Sequence, residues 1–130
     1  MRALAVAAAL TLSGLALSPQ VALAQGVNRN WQQDYQSIAG SRWTGQFTFE
    51  GDTPVEWTVD FRPGGVMTYA YGGTSYDNGR WIQNNGLVAF DLNDNFVVYV
   101  GALSDDGRRL KGHMVNRRGQ PGQFEFTRGR

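Results

Sequence analysis

The sequence predicts an all-β fold: an eight-stranded up-and-down antiparallel barrel, with a cleaved signal peptide and a short helix in front of it. Two observations predict the barrel. From Arg42 onward apolar and polar residues alternate with a period of two, which is the pattern of half-buried strands. Clusters of Gly, Asn, Asp and Pro interrupt this pattern roughly every ten residues, the spacing expected of short strands joined by tight turns.

The first 24 residues have the three parts of a secretory signal. They begin Met1-Arg2, continue through an apolar run from Ala3 to Leu17, and end with the small residues Ala22 and Ala24 at the positions that signal peptidase reads. We therefore expect a signal peptide over residues 1–24 and a mature chain that begins at Gln25. The protein is then secreted or periplasmic, and the sequence does not choose between the two.

Residues 25–41 predict a short helix that acts as a lid. Trp31, Tyr35 and Ile38 follow one another at helical spacing, Asn28 or Asn30 can cap the start, and Gly40 stands where a helix would stop. The spacing predicts a helix from about Asn30 to Ile38, packed over one end of the barrel. A flexible leader is the alternative.

The barrel domain covers residues 42–130. Its clearest strand places Val55, Trp57, Val59 and Phe61 on one face, with charged and polar residues between them. We predict eight strands in all: one from Arg42 to Phe49, one over Val55–Arg62, and then Val66–Tyr71, Tyr76–Gln83, Leu87–Leu92, Phe96–Leu103, Arg109–Val115 and Gln123–Arg128.

Short links decide the predicted topology. Parallel strands need crossovers of a dozen or more residues, and none of the links is that long, so neighbours in sequence become antiparallel neighbours in the sheet. A meander of eight strands leaves two exposed edges unless it closes on itself. The pattern therefore favours a closed barrel over a two-sheet sandwich.

Composition excludes several classes of function. The chain has no Cys and one His, so a zinc site built from Cys and His is not expected, and we predict no metal and no cofactor. No second long apolar run follows the signal, so no membrane span is expected. With 12 basic and 11 acidic side chains, the chain lacks the excess of positive charge that nucleic-acid binding requires.

Charge is distributed unevenly along the chain. Residues 25–104 contain four Arg against eight Asp and Glu, whereas residues 105–130 contain seven Arg and Lys against three Asp and Glu. This distribution is either ordinary surface charge or a docking face for an acidic partner. The candidate contact residues are Arg108, Arg109, Lys111, Arg117 and Arg118.

Candidate catalytic groups are few. His113 lies on the outward face of its predicted strand beside Arg109 and Lys111, which is the position of a surface histidine. The Asp residues between positions 91 and 106 lie at or near predicted turns, where Asp bonds its own backbone. No catalytic residue is predicted, and an enzyme is the least favoured class.

Aromatic residues are abundant, with four Trp, five Tyr and seven Phe. The predicted core rings are those of Trp43, Phe47, Phe49, Trp57, Phe61, Trp81, Phe90, Phe124 and Phe126. An eight-stranded barrel holds either its own side chains or one small ligand. If it holds a ligand, the expected lining is Trp57, Phe61, Tyr69, Tyr71 and Tyr99.

The order of helix, Trp-bearing first strand, eight-strand meander and terminal Arg resembles the calycins, the lipocalin-like and avidin-like barrels. Gly40-Ser41-Arg42-Trp43 is one residue longer than the Gly-x-Trp of lipocalins, and Gly79-Arg80-Trp81 has that spacing on the fourth strand. The resemblance implies that Arg128 or Arg130 packs over Trp43 and closes one barrel end. The resemblance implies a fold and leaves the function open.

Two hypotheses of function follow. The first is an exported, non-catalytic, lipocalin-like protein that binds a small apolar or aromatic ligand. The alternative is an interaction or inhibitor module with a filled barrel that acts through its basic C-terminal face. The sequence names neither the ligand nor the partner, and it leaves the oligomeric state open.

Overall fold

The computed structural model describes residues 34–130, and these form one closed barrel in which the strands follow chain order. The predicted signal peptide, and the part of the predicted helix before Asp34, lie outside the described residues. The strands are β1 (Ser41–Phe49), β2 (Val55–Phe61), β3 (Val66–Tyr71), β4 (Thr74–Asn84), β5 (Leu87–Leu92), β6 (Val97–Leu103), β7 (Arg109–Asn116) and β8 (Pro121–Arg128).

Each strand pairs antiparallel with the next, and β1 also pairs with β8, where Trp43 lies opposite Arg128 and Phe49 lies opposite Gly122. This last pairing closes the sheet and leaves it without an edge. The predicted up-and-down barrel is therefore confirmed over the two-sheet sandwich.

Alternation along the strands produces the core. In β6, buried and exposed residues alternate without exception, and in β2 the buried rings of Trp57 and Phe61 flank buried Val59. Seven of the nine predicted core rings are buried. Phe47 and Phe49 are the exceptions: both are only half-buried, because they lie near one end of the barrel.

Turns form where the sequence predicts them. Asn93, Asp94 and Asn95 have φ angles of 54°, 56° and 66°, so three consecutive residues without glycine adopt the left-handed region between β5 and β6. Asn and Asp tolerate this conformation better than other residues with side chains, because their short polar groups bond the local backbone.

The up-and-down topology defines two ends. The links β1–β2, β3–β4, β5–β6 and β7–β8 lie at one end, which we call the open end. The links β2–β3, β4–β5 and β6–β7 lie at the other, together with residues 34–40. We call it the closed end, because residues 34–40 bond across it.

Residues 34–38 are not helical, so this part of the predicted helix is wrong. The segment is fastened to β4 and its turn instead: the Tyr35 amide donates to Asn85 Oδ1 (2.8 Å), and the Ile38 amide donates to Gln83 Oε1 (2.9 Å). Ile38 is fully buried. Bonds to the barrel replace the bonds that a helix would make within itself, and Ile38 still seals the end.

The closed end is completed from the other terminus. The guanidinium of Arg128 lies 5.8 Å from the centre of the Trp43 ring, and the Trp43 Nε1 donates to Ser41 Oγ (2.7 Å). The expectation that a C-terminal Arg covers Trp43 is confirmed for Arg128. Within the described residues, no helix has the length and apolar character that a membrane crossing requires.

Candidate ligand-binding site

Aromatic rings meet solvent at the open end. Tyr69, Tyr71 and Tyr76 have nearly parallel rings, with centroids 6.3 Å apart for Tyr69–Tyr71, 5.1 Å for Tyr69–Tyr76 and 5.4 Å for Tyr71–Tyr76. Phe47 packs edge-on against Tyr71 at 5.8 Å. We call these four residues the tyrosine mouth. Tyr71 is 37% exposed, and Phe47 and Tyr76 are half-buried, so ring surface faces water here.

A bulge in β4 brings Tyr76 into this cluster. Met67 pairs with Gly79 and Tyr69 pairs with Tyr76, so two residues of β4 lie opposite the single residue Thr68. After the bulge, the odd-numbered residues Gly79 and Trp81 face inward. Before it, the even-numbered residue Tyr76 faces inward, because the extra residue shifts the alternation of β4 by one position. Without the bulge, Tyr76 would face outward.

The tyrosine hydroxyls near the mouth can form hydrogen bonds, and burial makes several of them weaker acids than an ordinary tyrosine. Tyr69 donates to Asn78 Oδ1 (2.5 Å). Burial raises the pKa of Tyr69 to about 12, and neighbouring Tyr71 and Tyr76 add to the effect. Burial also raises the pKa values of Tyr71 and Tyr99. Like any tyrosine hydroxyl near neutral pH, these groups are protonated and can both donate and accept hydrogen bonds.

Trp57 lies next to the tyrosine mouth, in the barrel interior. Its ring contacts Phe47 at 4.8 Å, Tyr69 at 6.0 Å, Tyr99 at 5.5 Å and Phe126 at 5.0 Å. The residue is only 3% exposed, and its Nε1 has no hydrogen-bond acceptor. A buried polar donor thus lies among rings at the base of the partly exposed cluster.

The structure brings four of the five predicted ligand-lining residues together. Trp57 contacts Tyr69 and Tyr99, and Tyr69 stacks on Tyr71. Phe61 lies elsewhere: it is fully buried and contacts Trp43 and Trp81 towards the closed end. Two residues of the cluster were not predicted for it. The alternation of β1 points to Phe47 as an inward residue, whereas no sequence signal marks the bulge that turns Tyr76 inward.

The barrel interior below this cluster is filled. Phe90 stacks on Tyr99 at 4.4 Å and contacts Phe124 at 5.3 Å. A Cβ added at Gly101 would lie 2.7 Å from an atom of Phe124 and 3.1 Å from an atom of Leu110. These side chains therefore already occupy the space that a larger residue would need. The accessible aromatic surface is therefore at the mouth, and not in a deep central cavity.

The five predicted partner-binding cations are spread along β7. Arg108 and Arg109 lie at its closed-end start, Arg117 and Arg118 follow its open-end finish, and Lys111 lies between on the outer face. The strand is roughly 24 Å long at its usual rise per residue. Arg109 pairs with Glu125, and Arg117 Nη2 donates to the Asp94 carbonyl (2.6 Å). The structure therefore does not gather these residues at one point.

The remaining polar candidates lie at the surface. His113 is exposed, as the sequence predicts. Asp106 Oδ1 accepts from the Ser104 hydroxyl (2.7 Å) and from the Arg108 amide (3.0 Å), so it performs the turn chemistry expected of it. Over residues 34–130, no three His, Cys, Asp or Glu side chains come together as a metal-binding group.

Fold and site together define a small closed antiparallel barrel with one sealed end and one aromatic, partly exposed end. This is the architecture that the resemblance to calycins implies. Comparison with protein-family models, with curated proteins and with solved structures found no match.

Proposed function

We propose that this protein is an exported, non-catalytic binding protein that takes a small apolar, aromatic molecule at the tyrosine mouth. The observation that carries the proposal is the clustering of three partly exposed rings, those of Phe47, Tyr71 and Tyr76, around Tyr69 at one end of the barrel. Rings that served only as core would be covered. Ring faces left open beside hydrogen-bonding hydroxyls are typical of small-molecule sites.

Export is the second part of the proposal. It is supported by residues 1–24, which have the basic start, the apolar run and the Ala22-Leu23-Ala24 ending typical of a signal peptide. This support does not depend on the barrel. N-terminal sequencing of protein recovered from the native host tests it. We expect the chain to begin at Gln25, and recovery of chains that begin at Met1 would contradict export.

Calorimetric titration of the purified chain with 2-acetylnaphthalene as the probe tests ligand binding. We expect saturable one-to-one binding. The variant Tyr71→Ala should weaken it about five- to tenfold, because one stacked ring is lost. Ile82→Ala is the matched control, since Ile82 is 72% exposed on the outer face of β4. Equal affinities for all three proteins would exclude the tyrosine mouth.

A surface-acting module is the second candidate, and the outer face of β6 and β7 favours it. Cross-strand pairs there are apolar or combine an apolar with a basic residue: Val98 lies opposite Val115, Val100 opposite His113, and Ala102 opposite Lys111. Val100 and Val115 are about half exposed. An acidic protein with an apolar anchor would match this face in charge and in character.

Native mass spectrometry of the protein from its own host separates the two candidates. A co-purifying small molecule that Tyr71→Ala releases supports the tyrosine mouth. A co-purifying acidic protein supports the second candidate only if salt dissociates the complex and Lys111→Glu abolishes its formation, because charges at the rim of an interface act through screened electrostatics.

A further inference from the structure

The three described tryptophans differ in one respect. Trp43 Nε1 donates to Ser41 Oγ (2.7 Å), and Trp81 Nε1 donates to the carbonyl oxygens of Arg62 (2.8 Å) and Val66 (3.0 Å). Trp57 is buried as they are, yet its Nε1 has no acceptor. Native proteins satisfy most buried donors, because an unmade hydrogen bond is costly in an apolar interior. The exception lies beside the tyrosine mouth.

Aromatic rings surround Trp57. Those of Phe47, Phe126 and Phe90 lie 4.8, 5.0 and 6.4 Å from its own ring and have no polar atom. The rings of Tyr69 and Tyr99 lie 6.0 and 5.5 Å away, and neither hydroxyl accepts a hydrogen bond from Nε1. Phe47 also contacts Tyr71 of the tyrosine mouth at 5.8 Å, and it is itself half-buried. The unpaired donor therefore belongs to a residue that contacts two members of the tyrosine mouth, Phe47 and Tyr69.

We propose that the ligand of the tyrosine mouth carries a carbonyl oxygen, and that this oxygen accepts a hydrogen bond from Trp57 Nε1 when the Phe47 ring turns aside. The inference rests on the proposed function and narrows it, from apolar aromatic molecules in general to aromatic ketones, aldehydes and esters. A site with a buried donor discriminates against analogues that lack the acceptor, because the donor is then left unpaired.

A matched pair of probes tests the inference. 2-Acetylnaphthalene and 2-isopropenylnaphthalene have nearly the same shape, and the second replaces the carbonyl oxygen by a methylene group. We expect the ketone to bind about tenfold more tightly. In ¹H–¹⁵N spectra, the indole resonance of Trp57 should move downfield with the ketone alone, while those of Trp43 and Trp81 stay in place.

Two variants separate a binding role from a structural one. Trp57→Phe keeps a ring and removes the N–H, so the affinity ratio of the two probes should fall to about one even if both bind more weakly. Trp81→Phe removes a paired N–H towards the closed end and should leave the ratio unchanged. Should Trp57→Phe not fold, the probe pair and the indole spectrum of the unmodified chain decide the matter.

The outcomes also distinguish this inference from the proposed function. If both probes bind equally at the tyrosine mouth and the Trp57 resonance does not move, the inference is wrong and the proposed function stands. If neither probe binds, both are wrong.

Discussion

Gly45 illustrates how tightly single residues are constrained in this barrel. It lies in the middle of β1, opposite Trp57 on β2 and Phe126 on β8. A Cβ added there would lie 1.9 Å from the carbonyl oxygen of Glu125, far inside van der Waals contact. Glycine weakens a strand in general, and here it permits a close approach of two backbones.

Replacement of this glycine should therefore be costly. We expect Gly45→Ala to lower the free energy of unfolding by about 3 kcal/mol, because backbone and not a flexible side chain must move. Gly86→Ala is the control: the atoms nearest to its added Cβ belong to the ring of Tyr35, at 2.8 Å, and that ring can shift. Urea denaturation measures both, and similar losses in the two variants would contradict the close approach at Gly45.

Trp57 illustrates a different constraint at the same scale. The pattern of β2 predicts that it points inward, and this is confirmed. Whether its N–H finds an acceptor depends on which side chains arrive from other strands, since Phe47, Tyr99 and Phe126 come from β1, β6 and β8. No local pattern encodes that encounter.

At the scale of strands and segments, the structure departs from the sequence pattern in two places. The strands follow their alternation closely, yet the bulge between β3 and β4 moves Tyr76 to the inner face. A bulge depends on the register between two strands, which alternation in one strand does not specify. Residues 34–38 diverge for a similar reason, because bonds to Gln83 and Asn85 replace helical ones.

Tyr69, in the β3–β4 pair, allows a prediction of how the stability of the protein changes at alkaline pH. Tyr69 has a pKa of about 12 in the folded barrel against an ordinary value of 10.0, mainly because it is buried. The folded state thus holds this proton more tightly than the unfolded chain does. The stabilisation is fully present below pH 10 and is lost as the pH rises from 10 to about 12.

Variants in this pair test that response. Urea titrations between pH 8 and 12 should show a smaller alkaline loss of stability for Tyr69→Phe than for the unmodified chain. Asn78→Ala removes the same side-chain hydrogen bond and keeps the titrating hydroxyl, so it should be destabilised at pH 8 and retain the alkaline loss. An unchanged pH profile in Tyr69→Phe would assign the alkaline response to other groups.

At the scale of the whole molecule, closure is the dominant feature. Every strand has two hydrogen-bonded neighbours, and the β1–β8 seam extends over seven residue pairs, from Trp43–Arg128 to Phe49–Gly122. An open sheet would end in two frayed strands. In the closed barrel, the first and last strands are as fully paired as the middle ones.

Amide hydrogen exchange tests this closure. We expect amides of β1 and β8 at the seam to be protected to within about 1 kcal/mol of those in β5 and β6, since all should open only with global unfolding. The links at the open end provide the fast-exchanging reference. Exchange in β1 and β8 that approaches the rate of those links would indicate an open sheet.

The sequence by itself determined the strands, the turns, the antiparallel order and most of the core, because alternation and turn chemistry act between near neighbours in the chain. It also indicated the cluster of Trp57, Tyr69, Tyr71 and Tyr99, and the Arg that covers Trp43. Only the tertiary structure decided the register that turns Tyr76 inward, the separation of Phe61 from the tyrosine mouth, and the unpaired N–H of Trp57. These depend on the register and packing between strands, which are set only when the strands pair and the barrel closes.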